Sequence, residues 1–414
     1  MHGDSVEAPT TRTALLVFLS FATGYFLSYL YRSVNAVIST DLVAEFGLSA
    51  SALGLLTSAY FLGFASLQIP VGILLDRVGP RRTNAALLLF AGTGALVFSM
   101  AEGLTGLLVG RTLIGFGVAA CLMSSIKAFT LWFPLERLPA MTGRIMFVGG
   151  LGAISATVPV EAALQITDWR GLFRLLALLT FAAAAIVFFV APEKRDDKPH
   201  ETFTGQLRGT AGVFVSPLFW RIALGTTLFQ SFNMSVQGLW AGPWLADVAG
   251  LGRQAVAFHL LALGVATMIG FLFWGLLAAR LVRRGIEPMT VLIVSSAVYM
   301  CVQLLLVFGA SHLALPIWIG WGFFGTSGSL AFAILSQQFP SHLTGRATTA
   351  LNLLVFLTAF ASQWAFGAIV NHWPAQGGGY EPGGYSVAFG VFLALQLCGF
   401  IWMLLGRGAK VGRT

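Results

Sequence analysis

Twelve apolar runs, each long enough to cross a bilayer, constrain this chain more than any other feature. A lipid core takes about 20 apolar residues per helix. The runs fall at 13–38, 51–75, 83–101, 105–131, 145–166 and 171–191, then at 219–242, 254–279, 289–310, 313–337, 347–370 and 385–405. A β-barrel would instead show short alternating strands. Of the 414 residues 57% are hydrophobic and only 10% charged, with a mean hydropathy of +0.83; soluble proteins carry about 25% charged residues. A soluble domain and a disordered chain are both excluded, and an all-α multi-pass membrane protein is expected. Cys121, Cys301 and Cys398 sit inside apolar runs and read as small core residues, without a disulfide frame or metal site. The first twelve residues are polar and the next run is long enough to span, so no cleavable signal peptide is expected.

Positive charge sets the orientation. With both termini cytoplasmic, eighteen of the 24 Lys and Arg residues fall in cytoplasmic segments, which is the bias of bacterial inner-membrane proteins. The net charge of +8 therefore needs no nucleic-acid partner. The longest polar stretch, Pro192–Pro217, suggests a six-helix bundle over 1–191, a cytoplasmic linker over 192–218 and a second six-helix bundle over 219–414. The halves echo each other. Gly72 and Arg77 correspond to Gly275 and Arg280 at an offset of 203, and Thr142-Gly143-Arg144 to Thr344-Gly345-Arg346 at 202. Each half holds an even number of spans, so the repeat is parallel, with its axis along the membrane normal, an arrangement suited to alternating access.

The loop after the second span reads Gly72-Ile-Leu-Leu-Asp76-Arg77-Val-Gly79-Pro-Arg81-Arg82. It resembles the signature G-x-x-x-D-R-x-G-R-[RK] of the major facilitator superfamily, departing only at Pro80. Arg111-Thr-Leu-Ile-Gly115-Phe-Gly117 is similar to that family's R-x-x-x-G-x-G, and Asp168-Trp169-Arg170-Gly171 to its sequence before the sixth span. The resemblance covers essentially the whole chain and implies that Asp76 gates the cytoplasmic side by pairing with charged groups on a neighbouring helix end. Gly72, Arg77, Gly79, Arg81, Arg111, Arg144, Arg280 and Arg346 belong to the same gating set. The counterpart of Asp76 in the second half is Ala279, so the second latch is expected to be weaker.

Charges inside a span cost about 2.5–3.5 kcal/mol on insertion scales and default to functional roles. Arg32, late in the first span beside Tyr29 and Asn35, resembles the anion-contacting arginine of the anion:cation symporter and organophosphate exchanger branch; snorkelling to the outer surface is the alternative. Lys127 is expected to share a cavity with Arg32, with no acid placed to neutralise either, unless it snorkels to the cytoplasm. Two such cations attract anions. Glu161 and His259 are the proton-coupling candidates; a surface ion pair of Glu161 with Arg170 or Arg174, and a neutral core role for His259, are the plainer readings. Gln230, Asn233 and Gln237 recur at helical spacing as one polar stripe, joined by Trp240, Asn352 and Gln363, so an amide-rich second half is expected to face the cationic first half. Phe229, Phe323 and Phe324 are candidates for an apolar wall.

No Walker loop, metal-ligand cluster or catalytic Ser/His/Asp grouping is visible, so neither a cofactor nor an enzyme activity is expected. The drug-exporter signature G-x-x-x-G-P-x-x-G-G is not matched, since Val158 stands before Pro159. The expected activity is secondary transport of a small organic anion such as a carboxylate, proton-coupled or by exchange, by a monomer in the lipid bilayer. Proton-driven drug or metabolite efflux and a transporter-like receptor are the alternatives.

Overall fold

The computed structural model describes residues 9–194, 203–282, 284–339, 341–373 and 379–405, and the elements among them are helical. Arg195, Asp196, Asp197 and Lys198 of the expected linker, and Arg283, Arg407, Lys410 and Arg413 of the orientation set, lie outside these residues. Nine helices among the described residues are long and apolar enough to cross a membrane, and a bent pair makes ten. The two remaining apolar runs are occupied by helices Pro80–Ser99 and Pro217–Ser235. The chain is a multi-pass membrane protein.

Sequence chemistry sets the breaks. The second span divides into Ala50–Ser66 and Pro70–Arg77, bent by 50°, because Pro70 has no N–H and its ring crowds the preceding turn. Gly79 comes next at φ +88°, in the left-handed region that glycine enters freely, and Pro80 is the first residue of the following helix. The departure at Pro80 from the family signature is thus a helix start. Asp168 caps Trp169–Ala185 by accepting from the Gly171 N–H at 2.7 Å. Its neighbour Trp169 is buried edge-on against Phe98.

The helices form two compact units. Unit 1 comprises residues 1–41 and 59–205; unit 2 comprises 42–58 and 206–414. Residues 42–58 precede the linker in sequence yet pack within unit 2. The linker region itself contains a helix, Phe203–Val215. The Arg346 guanidinium, half-buried, lies flat against Gly209 of that helix, with Cζ 2.5 Å from where a Cβ would stand. Among the described residues no group of His, Cys, Asp and Glu is arranged to hold a metal.

Candidate solute-binding site

In unit 1 the site grows from one helix crossing. A Cβ on Gly115 would run into the Tyr60 carbonyl, and one on Gly63 would stand 2.9 Å from the Phe116 nitrogen. Helices Leu104–Val118 and Ala50–Ser66 therefore touch backbone to backbone, as small residues allow in membranes. Arg111 is one turn before Gly115, and the crossing brings the Tyr60 ring over it, with the guanidinium carbon 5.3 Å from the ring centroid. Arg111 is fully buried, and none of its guanidinium nitrogens has a hydrogen-bond partner among the described residues.

Arg32 reaches the same tyrosine. It is one residue from the end of helix Thr11–Ser33, where Val34 turns the chain into Asn35–Phe46. Its guanidinium carbon lies 4.6 Å from the Tyr29 centroid and 5.7 Å from that of Phe64. Tyr60 interacts with it electrostatically and donates its own hydroxyl to the Ser28 carbonyl at 3.2 Å. Asn35 is buried beside it. Tyr31, fully buried, bonds Thr180 at 2.8 Å and faces Arg111 electrostatically. A cation over an aromatic face keeps its charge while the ring shields it. Neither Tyr60 nor Phe64 stands out in the sequence; the one available signal is that Tyr60 lies three residues before Gly63.

The expectation that no acid neutralises Lys127 is corrected. Its Nζ donates to Asp76 Oδ1 at 2.8 Å, joining the Cys121–Trp132 helix to Pro70–Arg77. Asp76 sits in the last turn of its helix and Lys127 midway along its own, and their pairing places Lys127 with the signature loop. Its partner is hidden 51 positions away. The arginine brought together with Arg32 is Arg111, which the family signature groups with the gating residues. The rest of the signature loop is also engaged. Arg81 donates Nε to the Phe188 carbonyl at 2.7 Å, and Arg82 pairs with Glu193 at 3.0 Å, so the basic loop holds the end of the sixth span. Gly72 is half-buried in Pro70–Arg77; Arg77 and Arg144 are exposed. Glu161 is buried and accepts from Gln165 Nε2 at 3.1 Å.

In unit 2 the expected polar stripe is split. Helix Pro217–Ser235 passes into a π segment, Val236–Trp240, before Ala241–Asp247. A π turn takes more residues per turn and rotates the face of the turns beyond it. Gln230 and Asn233 face the glycines at 328 and 325, whereas Gln237 donates to Thr267 on Arg253–Val282. Trp240 is fully buried, with its indole N–H donated to the Gln363 carbonyl at 3.1 Å and its ring 4.8 Å from Phe366. It serves packing. The Gln363 side-chain amide is buried with no partner among the described residues, and Asn352 is half-buried. His259 places Nδ1 2.7 Å from the Ala255 carbonyl, and Arg280 is exposed. Phe323 and Phe324 join a core around Trp274, while Phe229 packs on Tyr299, so no common wall forms.

The family model described as Major Facilitator Superfamily matches residues 21–363. The chain belongs to that superfamily. This superfamily member is 25% identical over 276 residues to the "Probable sulfoacetate transporter SauU" of Cupriavidus necator, covering 63% of this chain and 64% of the relative. It is 26% identical over 309 residues to the "Probable L-galactonate transporter" of Escherichia coli, covering 69% and 65%. The matches thus span just under two thirds of these relatives. In fold it is similar to the crystal structure of a bacterial homolog of the human lysosomal transporter Spinster, with a TM-score of 0.79 at 15% identity over 96% of this chain and 97% of that one.

Proposed function

We propose that this superfamily member is a secondary transporter of small organic anions, carboxylates or sulfonates, working by alternating access in the bacterial inner membrane with both termini cytoplasmic. The observation that carries this reading is Arg111, a fully buried guanidinium whose nitrogens lack partners among the described residues and which shares Tyr60 with Arg32. A buried charge without a partner is strongly disfavoured. An anion that docks on it supplies the missing acceptor and takes a bidentate pair that lysine cannot offer. The names of the two curated relatives, a sulfoacetate and an L-galactonate transporter, support the same sign of charge.

In this reading Arg32 and Arg111 of unit 1 hold the acidic group and Asn35 adds a neutral contact. Lys127 and Asp76 lock the cytoplasmic helix ends. Transport is coupled through a proton on Glu161 or runs as exchange. The test is uptake into proteoliposomes of carboxylates, sulfonates and lipophilic cations, with a proton gradient or with internal anion. Accumulation of anions alone supports the reading, and a preference for cations overturns it.

A further inference from the structure

Within unit 2, residues 42–58 rest on the helices of the second repeat through an unusual set of contacts. A Cβ on Gly54 would stand 2.7 Å from the Gln363 carbonyl, and one on Gly367 would stand 2.8 Å from the Ala50 carbonyl carbon. The Trp240 ring edge closes both positions, at 3.2 and 2.9 Å. At Gly54 and Gly367 the seam is thus backbone on backbone beside one indole plate.

One hydrogen bond ties off the end of the seam. The Tyr380 hydroxyl donates to the Leu48 carbonyl at 3.1 Å. Tyr380 is held in turn by Asp247, at the end of Ala241–Asp247. The carboxylate accepts from the Tyr380 N–H at 3.1 Å and from the Tyr385 hydroxyl at 2.6 Å. Gly379 lets the chain pass against it, since a Cβ there would stand 3.0 Å from the Asp247 carboxyl carbon. Burial raises the Tyr380 phenol above its ordinary value and the Asp247 carboxylate raises it further, so it remains a neutral donor throughout the physiological range.

We infer that Asp247 is a positioning residue for the transport cycle: it holds Tyr380 as a latch that fastens residues 42–58 to unit 2 on the outer side, and release of this latch accompanies opening to the outside. This rests on the transport reading and its topology. Residues 42–58 belong to the first repeat by sequence, so movement of one repeat against the other must detach them from Gly367, Trp240 and Tyr380.

The test uses the whole chain in cells and a reporter one helical turn after Gly54, Ser58→Cys, in a background lacking the native cysteines; Ser58 is fully buried. A membrane-impermeant maleimide is applied from outside. Tyr380→Phe is expected to raise the labelling rate about fivefold, the factor one neutral hydrogen bond is worth. Asp247→Ala is expected to do the same, and the double variant to do no more than Asp247→Ala alone, because both act on one contact. Asp247→Asn keeps a carbonyl acceptor for the Tyr380 N–H and is expected to stay within about twofold of the parent. The external KM for the anion should fall in step with labelling, since the outside-open form is more populated. Unchanged labelling in Tyr380→Phe, which keeps the ring and its packing, overturns the latch, as does full additivity in the double variant. Labelling that rises as expected, in a protein that moves cations and ignores anions, keeps the latch and removes the proposed substrate class.

Discussion

Lys127 and Asp76, 51 residues apart, form a 2.8 Å ion pair between helices Cys121–Trp132 and Pro70–Arg77 of unit 1. Both side chains are partly exposed, at 22% and 33%, so the pair itself contributes about 1 kcal/mol or less to stability. Its value is conformational: it fixes the signature loop against the fourth span.

Asp76→Asn and Lys127→Met are each expected to lower the uptake rate several-fold with near-normal expression. The double variant should be no worse than the more severe single one, as for two residues that act through a shared contact. A double-mutant cycle on initial uptake rates measures this. Independent, multiplying losses would mean that Lys127 acts on the solute and not on the loop.

The crossing at Gly115 carries the site, because a methyl group there meets the Tyr60 backbone. Gly115→Ala is expected to force the helices apart, costing about 1–3 kcal/mol as overpacking does, and to weaken anion binding at the same time. Gly143→Ala, where a Cβ meets nothing within 4 Å, is the matched control and should bind as wild type. Thermal unfolding of the detergent-solubilised variants, with and without anion, reads both effects.

Glu161 separates the two modes of coupling. If it carries the proton, Glu161→Gln abolishes accumulation against a gradient and spares counterflow exchange. Equal loss of both in proteoliposomes, with reduced folded yield, assigns Glu161 to the structure around Gln165 instead.

Much of the fold is legible from residue order, and the rest is hidden for identifiable reasons. The run from Gly72 to Arg82 announces its turn, because Gly79 and Pro80 have distinctive backbone requirements. The pairing of Lys127 is invisible because its acid partner is remote in sequence and close only after the second and fourth spans pack. Arg111 lies at the opening of an apolar run, where snorkelling looks easy; the glycine crossing that buries it beneath Tyr60 involves a different helix. The stripe of Gln230, Asn233 and Gln237 assumes an unbroken α period, and no sequence signal marks the π segment at Val236. Tyr380 and Asp247, 133 residues apart, meet only through the fold.

The central claim is that Arg111 and Arg32 bind the acidic group of the solute. It is tested most directly by equilibrium binding of a labelled carboxylate or sulfonate substrate to purified wild-type protein, Arg111→Lys and Arg111→Gln. Losing a charged hydrogen bond costs about 1.5–3 kcal/mol, so Arg111→Gln should bind roughly ten- to hundredfold more weakly. Arg111→Lys should recover little, because the planar fork is lost. Wild-type affinity in both variants, measured on folded protein, would contradict the account.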